Sequence, residues 1–278
     1  MCYYNGIRVT RSEYIRLKDL EKLLANYSLL DIPLVEGPLY SQAYPVLKAV
    51  AGKEDFELVN MEWGFLPEAT SWPFIKTREE VKKFRYGYKD EKGWHKGYIT
   101  LNATAENLFV NEFKRKSMYA DAAMSRRCLV PSTGFWEWRH VVQIGKKGQP
   151  LKEPAKYPYH VYLPEHADRP FYMAGIYNTW TDEETGEHVD TFAVITTAAN
   201  KLMEQVHNAK RRMPTILDDD LAWEWMFGKL DPERISEIAK TQYPTERMAA
   251  YPVDKKFKEA VDPRAAVEYA ELSLLELA

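Results

Sequence analysis

Short alternating or continuous apolar runs dominate the middle of the chain. Residues 43–50, 56–63, 157–163, 171–177 and 191–197 each form such a run, bounded by Gly, Pro or Asp, and each reads as a β-strand ended by a turn. Helical spacing occurs in four places. Between residues 12 and 27, Leu17, Leu20, Leu23, Leu24 and Tyr27 fall on one stripe behind Ser12, which predicts an amphipathic surface helix with Ser12 as its N-cap. Shorter helical patterns cover 201–206, 220–227 and 232–240. Helices that do not alternate with strands argue for an α+β fold, a mainly antiparallel β core with helices outside it.

Two polar, charged stretches, about 68–96 and 139–156, read as insertions or hairpin arms with too few apolar residues to form a domain. A closing turn and helix is expected over 272–278. No internal repeat, low-complexity tract or shift in composition divides the chain, so residues 1–278 read as one domain.

The 18 Tyr and 8 Trp reinforce the strand reading, and 278 residues are enough to bury a core without a disulfide staple. The two cysteines, Cys2 and Cys128, are not expected to pair, and Cys128 sits in an apolar, strand-like run that suits a buried, inert thiol. No run approaches a membrane span and no basic-then-apolar leader opens the chain, so the expectation is a cytoplasmic protein with no membrane partner. A net charge of −3 argues against coating long duplex DNA. Local basic clusters at Lys114-Arg115-Lys116, Arg126-Arg127 and Lys210-Arg211-Arg212 leave a basic groove open, although each run alone reads as a solvated face.

Phosphate loops, dinucleotide fingerprints and metal-ligand spacings are missing among the Gly, Cys and His positions, so neither a metal nor a cofactor is called for. What remains is Cys2. Loss of Met1 would leave a free α-amine beside a thiol, with ordinary pKa values of about 8 and about 8.5, so a usable fraction of each is unprotonated at neutral pH. A 1,2-aminothiol meets an aldehyde as a Schiff base and then closes to a thiazolidine. From position alone, inward packing of Cys2 is the simpler reading.

Six segments in order change that weighting. They are Trp63-Gly64-Phe65-Leu66-Pro67, Asn102-Ala103-Thr104-Ala105-Glu106, Arg126-Arg127-Cys128-Leu129-Val130-Pro131, Gly134-Phe135-Trp136-Glu137-Trp138, Ile195-Thr196-Thr197-Ala198-Ala199-Asn200, and His207 through Arg212-Met213-Pro214, all behind Met1-Cys2. Together they resemble the SOS response-associated peptidase family from residue 1 to about residue 271. The resemblance implies a compact, barrel-like, mainly β fold, and a monomer that bonds its mature N-terminal cysteine to abasic sites in single-stranded DNA. Abasic-site lyase activity and self-removal of Met1 are implied with it, as is association with the nucleoid when DNA-bound.

Four catalytic positions carry over: Cys2 as nucleophile, Asn102 to orient the amine or a phosphate, Glu137 to donate and recover a proton, and His207 to shuttle a proton or hold the opened sugar oxygen. For DNA, Arg212 is the first candidate for a backbone contact, followed by Arg126 and Arg127. Trp63 could stack on a base or pack in the core, with packing preferred, and Trp72 could act as a wedge. Where relatives carry arginines, this chain has Tyr4 and Thr104, and Asn208 to Arg211 separate His207 from Arg212; Lys210 and Arg211 could supply the missing charge. A thiol peptidase or amidase using the same four residues, and a non-enzymatic single-strand binder that leaves Cys2 idle, are the alternatives.

Overall fold

The computed structural model describes residues 2–276 apart from 9–13, 19, 24–30, 41, 69–71, 146 and 168. Five strands close into a barrel. Phe171–Thr181 pairs with His188–Ala198, which runs parallel to Phe56–Trp63; that strand pairs with Ala43–Ala49, Ala43–Ala49 with Arg127–Ser132, and Arg127–Ser132 returns to Phe171–Thr181. Every pairing but the parallel one is antiparallel, and closure leaves no open edge. The Arg127–Ser132 strand is buried along its whole length, as expected of a stave with a partner on each side and a helix beneath. That helix, Asp219–Phe227, is capped by Asp218, and its Trp225 donates Nε1–H to the carbonyls of Cys128 and Gly175.

The chain leaves the barrel at Ser132 and enters a second, wholly antiparallel sheet. Its strand order is Ala249–Pro252, Ala155–Tyr162, Gly134–Val141, Tyr4–Arg8, Asp31–Glu36. Ser132 ties the two layers: its hydroxyl donates to Asn5 Oδ1 at 2.7 Å and accepts from the Gly134 N–H at 3.0 Å. Only glycine fits at 134, where a Cβ would lie 2.1 Å from His160 Nε2. One apolar core runs through both layers, from Cys2 and Phe135 to Trp63 and Phe192.

The expected strands are present with small shifts at their ends, and the helices Lys201–Val206, Asp219–Phe227 and Pro232–Ala239 lie where the spacing put them. The helix expected over residues 12–27 does not form over its described residues, 14–18 and 20–23. Its described part is a hairpin, Tyr14–Leu17 against Leu20–Leu23, with Lys18 at φ 55° in the turn. Leucines three apart suit one helix face, but Leu17 and Leu20 are cross-strand partners in the hairpin, and the Leu17 side chain packs into the core. Ser12 lies outside the described residues. Residues 272–276 are not helical either; Ser273 instead holds Arg139 through its hydroxyl and carbonyl.

The stretch 68–96 contains the helix Arg78–Tyr86, started by a Thr77–Glu80 capping box, and a small hairpin, Tyr88–Asp90 with Gly93–His95. Its inner side packs Ile75, Val81 and Phe84 with Leu66 and Trp180. The stretch 139–156 is a hairpin arm that extends the Gly134–Val141 and Ala155–Tyr162 strands, with a bridge between Ile144 and Pro150.

Candidate active site

Cys2 lies just before the Tyr4–Arg8 strand and is 1 % exposed, its thiol directed at the Tyr4 carbonyl at 3.8 Å. Two contacts fix this end of the chain. Gly37 N–H donates to the Tyr3 carbonyl at 2.9 Å, and Asn102 Nδ2 donates to the Cys2 carbonyl at 2.9 Å. Asn102 reaches Cys2 because its short strand, Asn102–Thr104, runs parallel to the barrel strand His188–Ala198 in register with Val194. Its Oδ1 is buried and has no hydrogen-bond partner among the described residues, so the amide retains an acceptor at the site.

Glu137 stands on the Gly134–Val141 strand opposite Tyr159 and is 4 % exposed. Burial raises its carboxyl to a pKa of about 7. His207 ends the Lys201–Val206 helix, its N–H donating to Met203. Its Nδ1 contacts the Arg212 carbonyl at 2.9 Å; a carbonyl only accepts, so Nδ1 carries the proton. Burial lowers the imidazole to a pKa of about 4, so it is neutral and its Nε2 lone pair faces Glu137 Oε2 at 3.7 Å. The Cys2 thiol is pushed far up, first by burial and then by the nearby Glu137 charge, which makes it a protonated thiol at rest.

Tyr3, Glu137 and His207 share a cleft of about 330 Å³ whose mouth carries His140, Lys156 and Lys210. His140 and Lys156 meet because they are cross-strand partners in the hairpin arm. Neither was visible as a site residue, since only the register brings them together. Asn102 also borders a second cleft of about 500 Å³, with Trp72, Thr104, Tyr119, Arg126 and Asn178.

The residues expected to contact DNA separate. Arg126 and half-buried Trp72 line the second cleft, with Arg126 also bonded to Glu68 at 3.0 Å. Arg212 is held by Glu106 at 2.8 Å and by the Thr196 carbonyl. Arg127 turns inward and donates to the carbonyls of Trp225, Ala123, Met124 and Gly228, so it joins two helix ends to the barrel and faces no groove. Trp63 is a core residue, stacked on Phe192 and donating to the Leu101 carbonyl; a stacking platform for DNA is not available there. Cys128 is wholly buried, as expected. Among the described residues no group of three or more His, Cys, Asp or Glu is arranged to hold a metal ion, and no helix is long and apolar enough to cross a membrane.

The profile of one family, SOS response associated peptidase (SRAP), matches residues 38–260. The chain belongs to this family. Among its relatives, the abasic site processing protein YoqW of Bacillus subtilis is 33% identical over 183 residues, 64% of this chain and 70% of that one. The abasic site processing protein HMCES of Gallus gallus is 27% identical, and the match spans 70% of this chain and about half, 52%, of HMCES. A crystal structure of a protein from Bacteroides thetaiotaomicron superposes with a TM-score of 0.69 at 29% identity, covering 95% of this chain and 97% of that one.

Proposed function

We propose that this SRAP protein captures abasic sites in single-stranded DNA covalently, Cys2 without Met1 closing on the sugar aldehyde as a thiazolidine. The supporting observation is the juxtaposition of a buried Cys2 held by Asn102 with a carboxyl whose pKa of about 7 lets it both give and take a proton at neutral pH. Relatives named abasic site processing proteins point to the same substrate.

The chemistry divides among the four residues. The Cys2 amine adds to C1′ of the ring-opened sugar to give a carbinolamine. Glu137 protonates its hydroxyl, water leaves, and an iminium remains beside a Glu137 carboxylate. That carboxylate takes the proton of the Cys2 thiol as Sγ adds to C1′, which restores the acid and closes the five-membered ring. The resting thiol therefore needs no thiolate, and its raised pKa fits a step that waits for the carboxylate. Asn102 fixes the Cys2 carbonyl and thereby the direction of the amine. His207, neutral with its proton on Nδ1, takes the C1′ hydroxyl proton at Nε2 as the C1′–O4′ bond breaks and passes it to O4′, which becomes the 4′-hydroxyl of the open sugar.

The test compares oligonucleotides carrying a true abasic site with ones carrying a tetrahydrofuran analogue that lacks the aldehyde. A shifted band on a denaturing gel with the first and none with the second is expected. Equal bands, or none with either from protein shown to lack Met1, would overturn the proposal and favour amide substrates.

A further inference from the structure

Residues 74–98 hold eight Lys and Arg against four Asp and Glu, a net +4 in a chain whose total is −3. The inner cations of this segment are neutralised by acids of the barrel side: Arg78 by Glu62 and Glu187, Arg85 by Glu62, and Lys76 by Glu183. The outer ones, Lys82, Lys83, Lys89, Lys92 and Lys96, are exposed beside Glu79, Asp90 and Glu91, and Lys83 pairs with Glu79 at 2.8 Å. Aromatic exposure concentrates in the same place. Six aromatic side chains are exposed among the described residues, and Phe74, Tyr86, Tyr88, Trp94 and Tyr98 are five of them.

Between the Arg78–Tyr86 helix and the small hairpin runs a groove of about 550 Å³, lined by Phe74, Tyr88, His95 and Tyr98 with Lys83 and Lys96, and by one carboxylate, Glu80, which is engaged in the helix cap. Its rings are held in place by other rings. Tyr98 lies parallel to buried Phe84 at 5.1 Å, and Tyr88 parallel to His95 at 4.5 Å. Trp72 joins this groove to the cleft that contains Asn102, since it packs edge-on to Tyr98 at 5.5 Å, touches Phe74 at 5.1 Å, and lines that cleft as well.

We propose that this groove is a second DNA-binding surface, a stacking platform for bases that flank the damaged nucleotide, with the outer lysines taking phosphates. Exposed rings beside exposed lysines, in a chain that is otherwise acidic, match the chemistry of single-stranded nucleic acid: every base offers a π-face and every linkage a negative charge. The inference rests on the reading of the active site as one for single-stranded DNA.

The test uses this protein and three abasic oligonucleotides, one with about three nucleotides on either side of the lesion and two extended by about fifteen, one on the 5′ side and one on the 3′ side. Wild type should crosslink all three and bind one of the extended forms more tightly than the short one. Phe74→Ala with Tyr88→Ala should erase that gain, a loss of about tenfold or more, and leave the short substrate unaffected. Lys89→Gln with Lys92→Gln and Lys96→Gln should lower the salt dependence of extended-strand binding by about 2 in log–log slope. Equal affinity of wild type for short and extended strands, equal losses on both in the variants, or self-association that these variants abolish, would each overturn the platform. Failure of wild type to crosslink any of the three would instead strike the reading of the active site.

Discussion

Glu137 and His207 approach each other at 3.7 Å with the proton on the partner that would give it up in water. In the unfolded chain near pH 5.5 the pair is a carboxylate and an imidazolium; in the fold, burial makes it a carboxylic acid and a neutral imidazole. Glu137, raised from 4.5 to about 7, adds stability that is full below its unfolded pKa and is lost as pH rises through 7. His207, lowered from 6.5 to about 4, adds stability that is present above 6.5 and lost as pH falls through 4. The two slopes oppose each other over most of the same window, so the pair leaves stability nearly flat there. Single variants expose them. The stability of Glu137→Gln should rise from pH 4 to 6.5, and that of His207→Gln should fall from pH 4.5 to 7, each by about 3 kcal/mol. Urea midpoints across pH check this, and curves parallel to wild type for both variants would contradict the assigned protonation. In catalysis Glu137→Gln should slow crosslinking by about 10²–10⁴ and remove the fall in rate above pH 7 that loss of the acid form causes in wild type.

Among single residues, position alone favoured an inward-packed Cys2, and its reading as a nucleophile, like the candidate roles of Asn102, Glu137 and His207, came from the order of the motifs. The inward turn of Arg127 was not. Arg126 ends the Ala120–Ser125 helix and Arg127 opens the barrel strand, and nothing local in the sequence says which of the two is buried. Where the strand sits in the barrel decides it.

At the scale of elements, Arg127 is the clearest case of a structural role, since it holds the end of the Ala120–Ser125 helix and the end of the Asp219–Phe227 helix against the barrel. Arg127→Met should cost about 3 kcal/mol or more by leaving buried carbonyls without donors, while the salt dependence of DNA binding stays unchanged. Thermal melts and salt titrations of one variant separate the two roles. The hairpin of residues 14–23 teaches a related lesson. A three-residue leucine spacing is shared by a helix face and a tight hairpin, and tertiary burial of Leu17 chose the second. Leu17→Ala should therefore destabilise by about 2–5 kcal/mol, as a core truncation does, where a surface helix would lose far less; chemical denaturation measures it.

For the whole molecule, the strands could be read from alternation, but the closure of the barrel could not, because its decisive pairings join distant segments. His188–Ala198 runs parallel to both Phe56–Trp63 and Asn102–Thr104, and this non-local pairing carries Asn102 to the chain's first residues. The sheet order likewise places Tyr4–Arg8 beside Gly134–Val141, which brings Cys2 and Glu137 to one site. The four candidate groups, from separate parts of the chain, thus depend on two layers keeping register. The measurement that tests this most directly is intact mass spectrometry of the protein after incubation with single-stranded DNA carrying one abasic site, followed by peptide mapping. The expected product is one chain without Met1 plus one DNA strand minus one water, with the bond at Cys2, and none from Cys2→Ala. An adduct located at another residue, or a wild-type chain lacking Met1 that leaves the DNA unmodified, would contradict the account.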